Sequence, residues 1–211
     1  MSRLSQELWH ECGDKASEIL NHPFVRGIAE ATLDRQAFRY YIAQDRLYLQ
    51  SFARAYSIAA GKAPDWGSFQ TFHALADGVL EELKLHKNYA ESWGIDPESV
   101  TASATTRRYT DFLLATAWSS DVGTTASAMT PCMKLYSFLG SRIAETSAIP
   151  AQPFGEWVET YASPDFHELV NQLEGLVDRH AEDSATVHAC YRYAIDCEEA
   201  FFSAAMAEAD G

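Results

Sequence analysis

Three residues carry chemically capable side chains at positions where a helical protein ordinarily places apolar groups: Asp45, Cys132 and Glu198. Asp45 interrupts a stripe of Phe38, Tyr41, Ile42, Tyr48, Leu49, Phe52 and Tyr56, and helical spacing puts Tyr41 and Tyr48 on its side of the helix. It reads either as an interior acid paired with a buried arginine or tyrosine hydroxyl, or as a ligand-binding group. Both readings require a partner, because an unsatisfied buried charge is strongly unfavourable. Glu198 lies at the edge of an inner stripe formed by Val187, Cys190, Tyr191, Ala194, Cys197, Phe201 and Ala205, one turn before Phe201 and Phe202. Its neighbour Glu199 points about 100° away, towards solvent. A carboxyl held among aromatic rings has a raised pKa, which suits a general acid near neutral pH. Cys132 follows Pro131 and precedes Tyr136 by one turn. Proline lacks a backbone donor, so a helix start or kink is expected there, with free amides that would lower the thiol pKa. Taken alone, a cysteine is read as a small core hydrophobe. Together the three supply a nucleophile, an acid/base and an aspartate ringed by tyrosines, a set suited to covalent catalysis on a flat polar ring.

Two other constellations point to metals. Glu7-x-x-His10 matches half of a di-iron carboxylate motif, and Glu82 and His86 stand one turn apart. A second Glu-x-x-His pair with two further glutamates cannot be assembled, so no metal is expected. His22 is a conceivable haem ligand, but His-Pro at a helix start reads as a capping turn. No cofactor is expected.

These groups must be positioned by helices. The 211 residues include 32 Ala, only 11 Gly and 7 Pro, and 47% are hydrophobic, a composition that favours helix and argues against disorder or a sheet-rich fold. Periodicity predicts helices over about 3–20, 23–32, 34–62, 68–93, 105–118, 123–145, 154–161, 164–181 and 184–208. Asp34, Ser163 and Ser184 are the expected caps. Gly94 is expected to end the fourth of these, Asp96-Pro97 to form a turn, and residues 149–153 to form the clearest loop. No repeat or composition shift marks a second domain, so residues 1–211 are expected to form one. Thirty acidic against sixteen basic residues give a formal charge of −14, which disfavours a nucleic-acid partner. No segment has the length and apolarity of a signal peptide or membrane span, and the four cysteines show neither CxxC nor zinc spacing. A reducing, cytoplasmic setting is expected.

The ordered residues resemble the TenA, or thiaminase II, family. The resemblance rests on HPFVRGIAEATL at 22–33, FRYYIAQDRLYLQSFARAYSIAAGKA at 38–63, Cys132-x-x-x-Tyr136, WVETYAS at 157–163 and Glu198-x-x-Phe201-Phe202. It implies an all-α, haem-oxygenase-like bundle without haem or metal, assembled as a homotetramer or dimer. It also implies a function in thiamin salvage: hydrolysis of 4-amino-5-aminomethyl-2-methylpyrimidine to the hydroxymethyl pyrimidine and ammonia, with thiamin a secondary substrate. By motif position, Cys132 matches the family nucleophile and Glu198 its acid/base. Asp45 matches the residue that binds the pyrimidine amino group, and Tyr48, Tyr109, Tyr136, Tyr161 and Phe201 match ring-lining positions. Arg46, Leu47, Glu199, Ala200 and Phe202 depart from the common pattern, which bears on the shape of the pocket. A non-catalytic pyrimidine-binding or regulatory protein is the alternative.

Overall fold

The computed structural model describes residues 3–92, 100–146 and 154–209, with side chains described outside 85–92. The described residues form helices and no strands, as composition and periodicity predict. In chain order the helices are α1 (Leu4–Glu11), α2 (Gly13–Leu20), α3 (Pro23–Ala29), α4 (Arg35–Lys62), α5 (Trp66–Ser92), α6 (Ala104–Ser119), α7 (Val122–Thr146), α8 (Gly155–Tyr161), α9 (Pro164–His180) and α10 (Ala185–Ala209). The expected stop at Gly94, the turn at Asp96-Pro97 and the loop at 149–153 lie outside the described residues.

The start signals act as their chemistry dictates. Asp34 Oδ1 accepts from the Gln36 amide at 2.6 Å, Ser163 Oγ from Phe166 at 3.1 Å and Ser184 Oγ from Val187 at 3.3 Å. His22 caps α3 through Nδ1, which accepts from the Phe24 amide at 3.2 Å, with Pro23 at the first helical position. The helix expected over 3–20 is broken into two at Cys12, just before Gly13. Pro131 does not start or end a helix: α7 runs through it from Val122 to Thr146. That helix is buried almost all round from Val122 to Pro131, so tertiary packing offsets the backbone bond that proline removes.

Helix α4 packs against α5, α6 and α10, while α7 lies against α8, α9 and α10. The two long helices α4 and α7 thus face α10 from different sides and bring Asp45, Cys132 and Glu198 towards one region. Two glycines on α7 permit close approach. A Cβ on Gly140 would lie 2.8 Å from the Tyr161 backbone, and one on Gly123 would strike the His180 carbonyl. Lys62 closes the far end of α4 on α6, donating to the carbonyls of Ala117, Trp118 and Ser120. Among the described residues, no helix is long and apolar enough to cross a membrane.

Candidate active site

Asp45, Tyr48, Tyr109, Tyr136, Glu198 and Phe201 line a small recess between α4, α6, α7 and α10. Each arrives from a face that helical periodicity turns inward. Asp45 and Tyr48 share the inner face of α4, and Glu198 and Phe201 stand one turn apart on α10. Asp45 is 6% exposed and Glu198 2%.

Glu198 is held by Tyr109, whose hydroxyl donates to Oε1 at 2.7 Å. Burial pushes its carboxyl up to about 7, while the Tyr109 hydroxyl and the adjacent Cys132 thiol pull it back. Burial likewise holds Asp45 well above the usual carboxylate range, reinforced by the charges of Glu82 and Glu198. Cys132 stands on α7 beside Tyr48 and Glu198, half-buried. Its thiol pKa is raised, not lowered: burial removes solvent from the thiolate and the Glu198 carboxyl repels it. The expected free amides do not exist, because α7 is continuous through Pro131.

The aromatic walls are tied together. Tyr48 packs against Tyr109 with ring centroids 4.9 Å apart and against Phe201 at 6.2 Å. The Tyr41 hydroxyl donates to that of Tyr136 at 3.2 Å and accepts from Trp157 Nε1 at 3.3 Å. Tyr161 does not line this recess but backs Tyr136 edge-on at 4.8 Å. Phe202 turns away, stacked on Phe24 at 5.0 Å, so that departure lies behind the pocket wall.

Three contributors carry no motif that the sequence reading picked up as part of this site. Gln44, buried beside Asp45, donates to the Thr101 carbonyl at 3.0 Å. Its Oε1 accepts from the Ser103 amide at 3.0 Å and from the Thr106 hydroxyl at 2.6 Å. It thereby fixes the start of α6, whose Tyr109 holds Glu198. Glu82 on α5 accepts from the Tyr161 hydroxyl at 3.4 Å, and burial pushes its carboxyl to about 7. The Tyr56 hydroxyl lies near Cys132 and Glu82 with no hydrogen-bond partner among the described residues.

Glu7 and His10 stand exposed on α1, and the side chain of His86 lies outside the described residues. Among the described residues, no group of three or more His, Cys, Asp or Glu side chains is placed to hold a metal ion. What the recess offers is a flat aromatic slot with a thiol, an acid/base and a buried acid around its rim.

Comparisons with known proteins bear on this arrangement. Residues 9–209 match the profile of the TENA/THI-4/PQQC family. The chain is 31% identical to the bifunctional TH2 protein, mitochondrial, of Arabidopsis thaliana, over 95% of this chain and 37% of that protein. It therefore spans little more than a third of that longer relative. It is 34% identical to the aminopyrimidine aminohydrolase of Halalkalibacterium halodurans over 77% of this chain and 75% of that one. The Bacillus subtilis protein of the same name is 32% identical over 82% of this chain and 77% of that one. Among solved structures, a TenA homologue from P. horikoshii superposes with a TM-score of 0.91 at 22% identity, covering 98% of this chain and 100% of that chain. Haem oxygenase-1 from the cyanobacterium Synechocystis gives a TM-score of 0.61 at 15% identity, covering 96% and 91%. At these identities the structural likeness establishes the fold, which is the haem-oxygenase-like helical fold.

Proposed function

The chain belongs to the TENA/THI-4/PQQC family, and from that premise we propose that it is a thiamin-salvage hydrolase acting through Cys132 and Glu198. Its substrate is 4-amino-5-aminomethyl-2-methylpyrimidine, which it converts with water to the hydroxymethyl pyrimidine and ammonia. Thiamin is a secondary substrate, cleaved to the pyrimidine and the thiazole. The observation that carries this reading is the convergence on one recess of Asp45 and the Tyr109-bonded Glu198, with Cys132 beside them. The names of curated relatives from two bacteria support the same chemistry.

The pyrimidine lies between the Tyr48, Tyr136 and Phe201 rings, whose faces complement a flat heterocycle. Asp45 accepts from the exocyclic amino group and fixes the orientation of the ring. The neutral Cys132 thiol passes its proton to the Glu198 carboxylate as sulfur bonds to ring carbon 6. Glu198 then delivers that proton to the ring nitrogen next to carbon 6. Electron density from the 4-amino group expels the leaving group from the methylene, and Asp45 stabilises the positive charge that develops. Water adds to the exposed methylene, the ring nitrogen returns its proton through Glu198, and the Cys132 thiol departs. Phe201 and Tyr109 keep bulk water from the ring, so attack is confined to the methylene. The proposal includes a reducing, cytoplasmic setting, which keeps the thiol free, and assembly as a homotetramer or dimer.

The test is ammonia release by the purified protein from the aminomethyl pyrimidine. Replacing Cys132 by serine should lower turnover by about three orders of magnitude with little change in pyrimidine affinity. Undiminished turnover would overturn covalent catalysis. Tight pyrimidine binding by the unaltered protein, with no turnover of any thiamin fragment, would favour the regulatory alternative.

A further inference from the structure

Glu82 and Tyr56 have no part in the chemistry above, yet both border it. Glu82 faces inward from α5 and receives the Tyr161 hydroxyl at 3.4 Å, and Tyr161 in turn packs on Tyr136, a wall of the recess. Its carboxyl acts on Asp45 more strongly than Glu198 does, and it also acts on Cys132. The Tyr56 hydroxyl lies near both Cys132 and Glu82, on a side chain only 1% exposed, and makes no hydrogen bond among the described residues. Buried hydroxyls are almost always paired. An unpaired one near a carboxyl and a nucleophile is available to bond a polar ligand group.

The substrate's own geometry says which group. On the pyrimidine, the carbon bearing the methylene lies between the amino-bearing carbon, which faces Asp45, and the carbon attacked by Cys132. Glu198, bonded to Tyr109 on α6, serves the ring nitrogen on one side of the attacked carbon; Glu82, bonded to Tyr161 on α8 and carried by α5, which packs on α4 and α9, approaches from another side and is left the methylene. We propose that Glu82, held by Tyr161 and joined by the Tyr56 hydroxyl, is the subsite that selects a cationic leaving group. This rests on the thiamin-salvage reading and adds to it a specificity residue.

The chemistry is consistent with such a subsite. A carboxylate beside the aminomethyl group holds its amine as an ammonium. When the C–N bond breaks, its electron pair goes to nitrogen and neutral ammonia departs without needing a further proton. The thiazolium of thiamin, permanently charged, leaves in the same way as neutral thiazole. The hydroxymethyl product carries no charge and loses the contact with Glu82, which favours its release.

Glu82→Gln removes the charge while keeping a carbonyl that accepts from Tyr161. In a Cys132→Ser background, where ligands persist, calorimetry should show the aminomethyl pyrimidine binding at least about tenfold more tightly than the hydroxymethyl pyrimidine. Adding Glu82→Gln should shrink that preference to within about twofold, leaving the hydroxymethyl affinity nearly unchanged. Glu82→Asp, which keeps the charge, should restore part of the preference. An unchanged preference in Glu82→Gln, an equal loss for both ligands, or no recovery in Glu82→Asp overturns the assignment. These results are separate from those bearing on the parent reading. If the unaltered protein turns over the aminomethyl pyrimidine and the preference ignores Glu82, only the subsite falls; if it turns over no thiamin fragment, the reading beneath it falls.

Discussion

Glu198 and Cys132 must share one proton for the proposed reaction to begin: a neutral thiol facing an ionised carboxylate. Below about pH 7 the carboxyl is protonated and the pair holds one proton too many. This ionisation by itself makes kcat/KM rise with pH through about 7, by about tenfold per unit on the acid side. Glu82, pushed to about 7 as well, must be ionised to hold a cation, so it steepens the same limb. Glu82→Gln should return the slope to one. A pH profile that is flat or falling between about 5.5 and 7 would contradict this use of Glu198. Asp45 and Glu198 were legible in the sequence because each breaks an apolar stripe. Glu82 was legible only as half of a metal pair, since its helix shows no clean aromatic stripe and its partner Tyr161 is distant in sequence. The thiol's electrostatics were misread because the expectation rested on the local effect of Pro131, whereas burial among carboxyls decides it.

At the scale of elements, the site depends on how closely α8 approaches α7. Gly140 has no Cβ where one would lie 2.8 Å from the Tyr161 backbone, so α8 can set Tyr161 against Glu82 and Trp157 against Tyr41. Gly140→Ala should push α8 outward and stretch both contacts. Overpacking of this kind costs about 1–3 kcal/mol, so a thermal midpoint several degrees lower is expected together with a reduced kcat/KM. An alanine variant with the same midpoint and activity would show that α8 yields without consequence. Most helices could be read from apolar spacing, and the caps at Asp34, Ser163 and Ser184 from side chains that accept from the first turn. The break at Cys12 was missed because apolar spacing continues across it. The Gln44 clamp on the start of α6 escaped for another reason: Thr101, Ser103 and Thr106 meet it only after the chain has folded back.

For the molecule as a whole, the site is a source of instability that pH should expose. Asp45, Glu82 and Glu198 all have folded-state pKa values above their ordinary ones. The folded chain therefore keeps protons that the unfolded chain gives up, and its stability falls as pH rises through that interval. For Glu198 the interval runs from its ordinary 4.5 to about 7, a burden on the order of 3 kcal/mol that is fully expressed above pH 7 and absent below about 4. Glu198→Gln removes the charge and keeps an acceptor for Tyr109, so it should abolish turnover while raising the thermal midpoint by several degrees at pH 8. At pH 4.5 the two proteins should melt within about a degree of each other. Titrating groups remote from Glu198 drop out of this difference. His188, raised by Glu11 and Asp183, contributes stability that is complete below its ordinary 6.5 and lost as pH passes its raised value, but it does so equally in both proteins. A Glu198→Gln protein no more stable than its parent at pH 8 would mean that the carboxyl carries its charge without strain, and the acid limb assigned to it would then need another source.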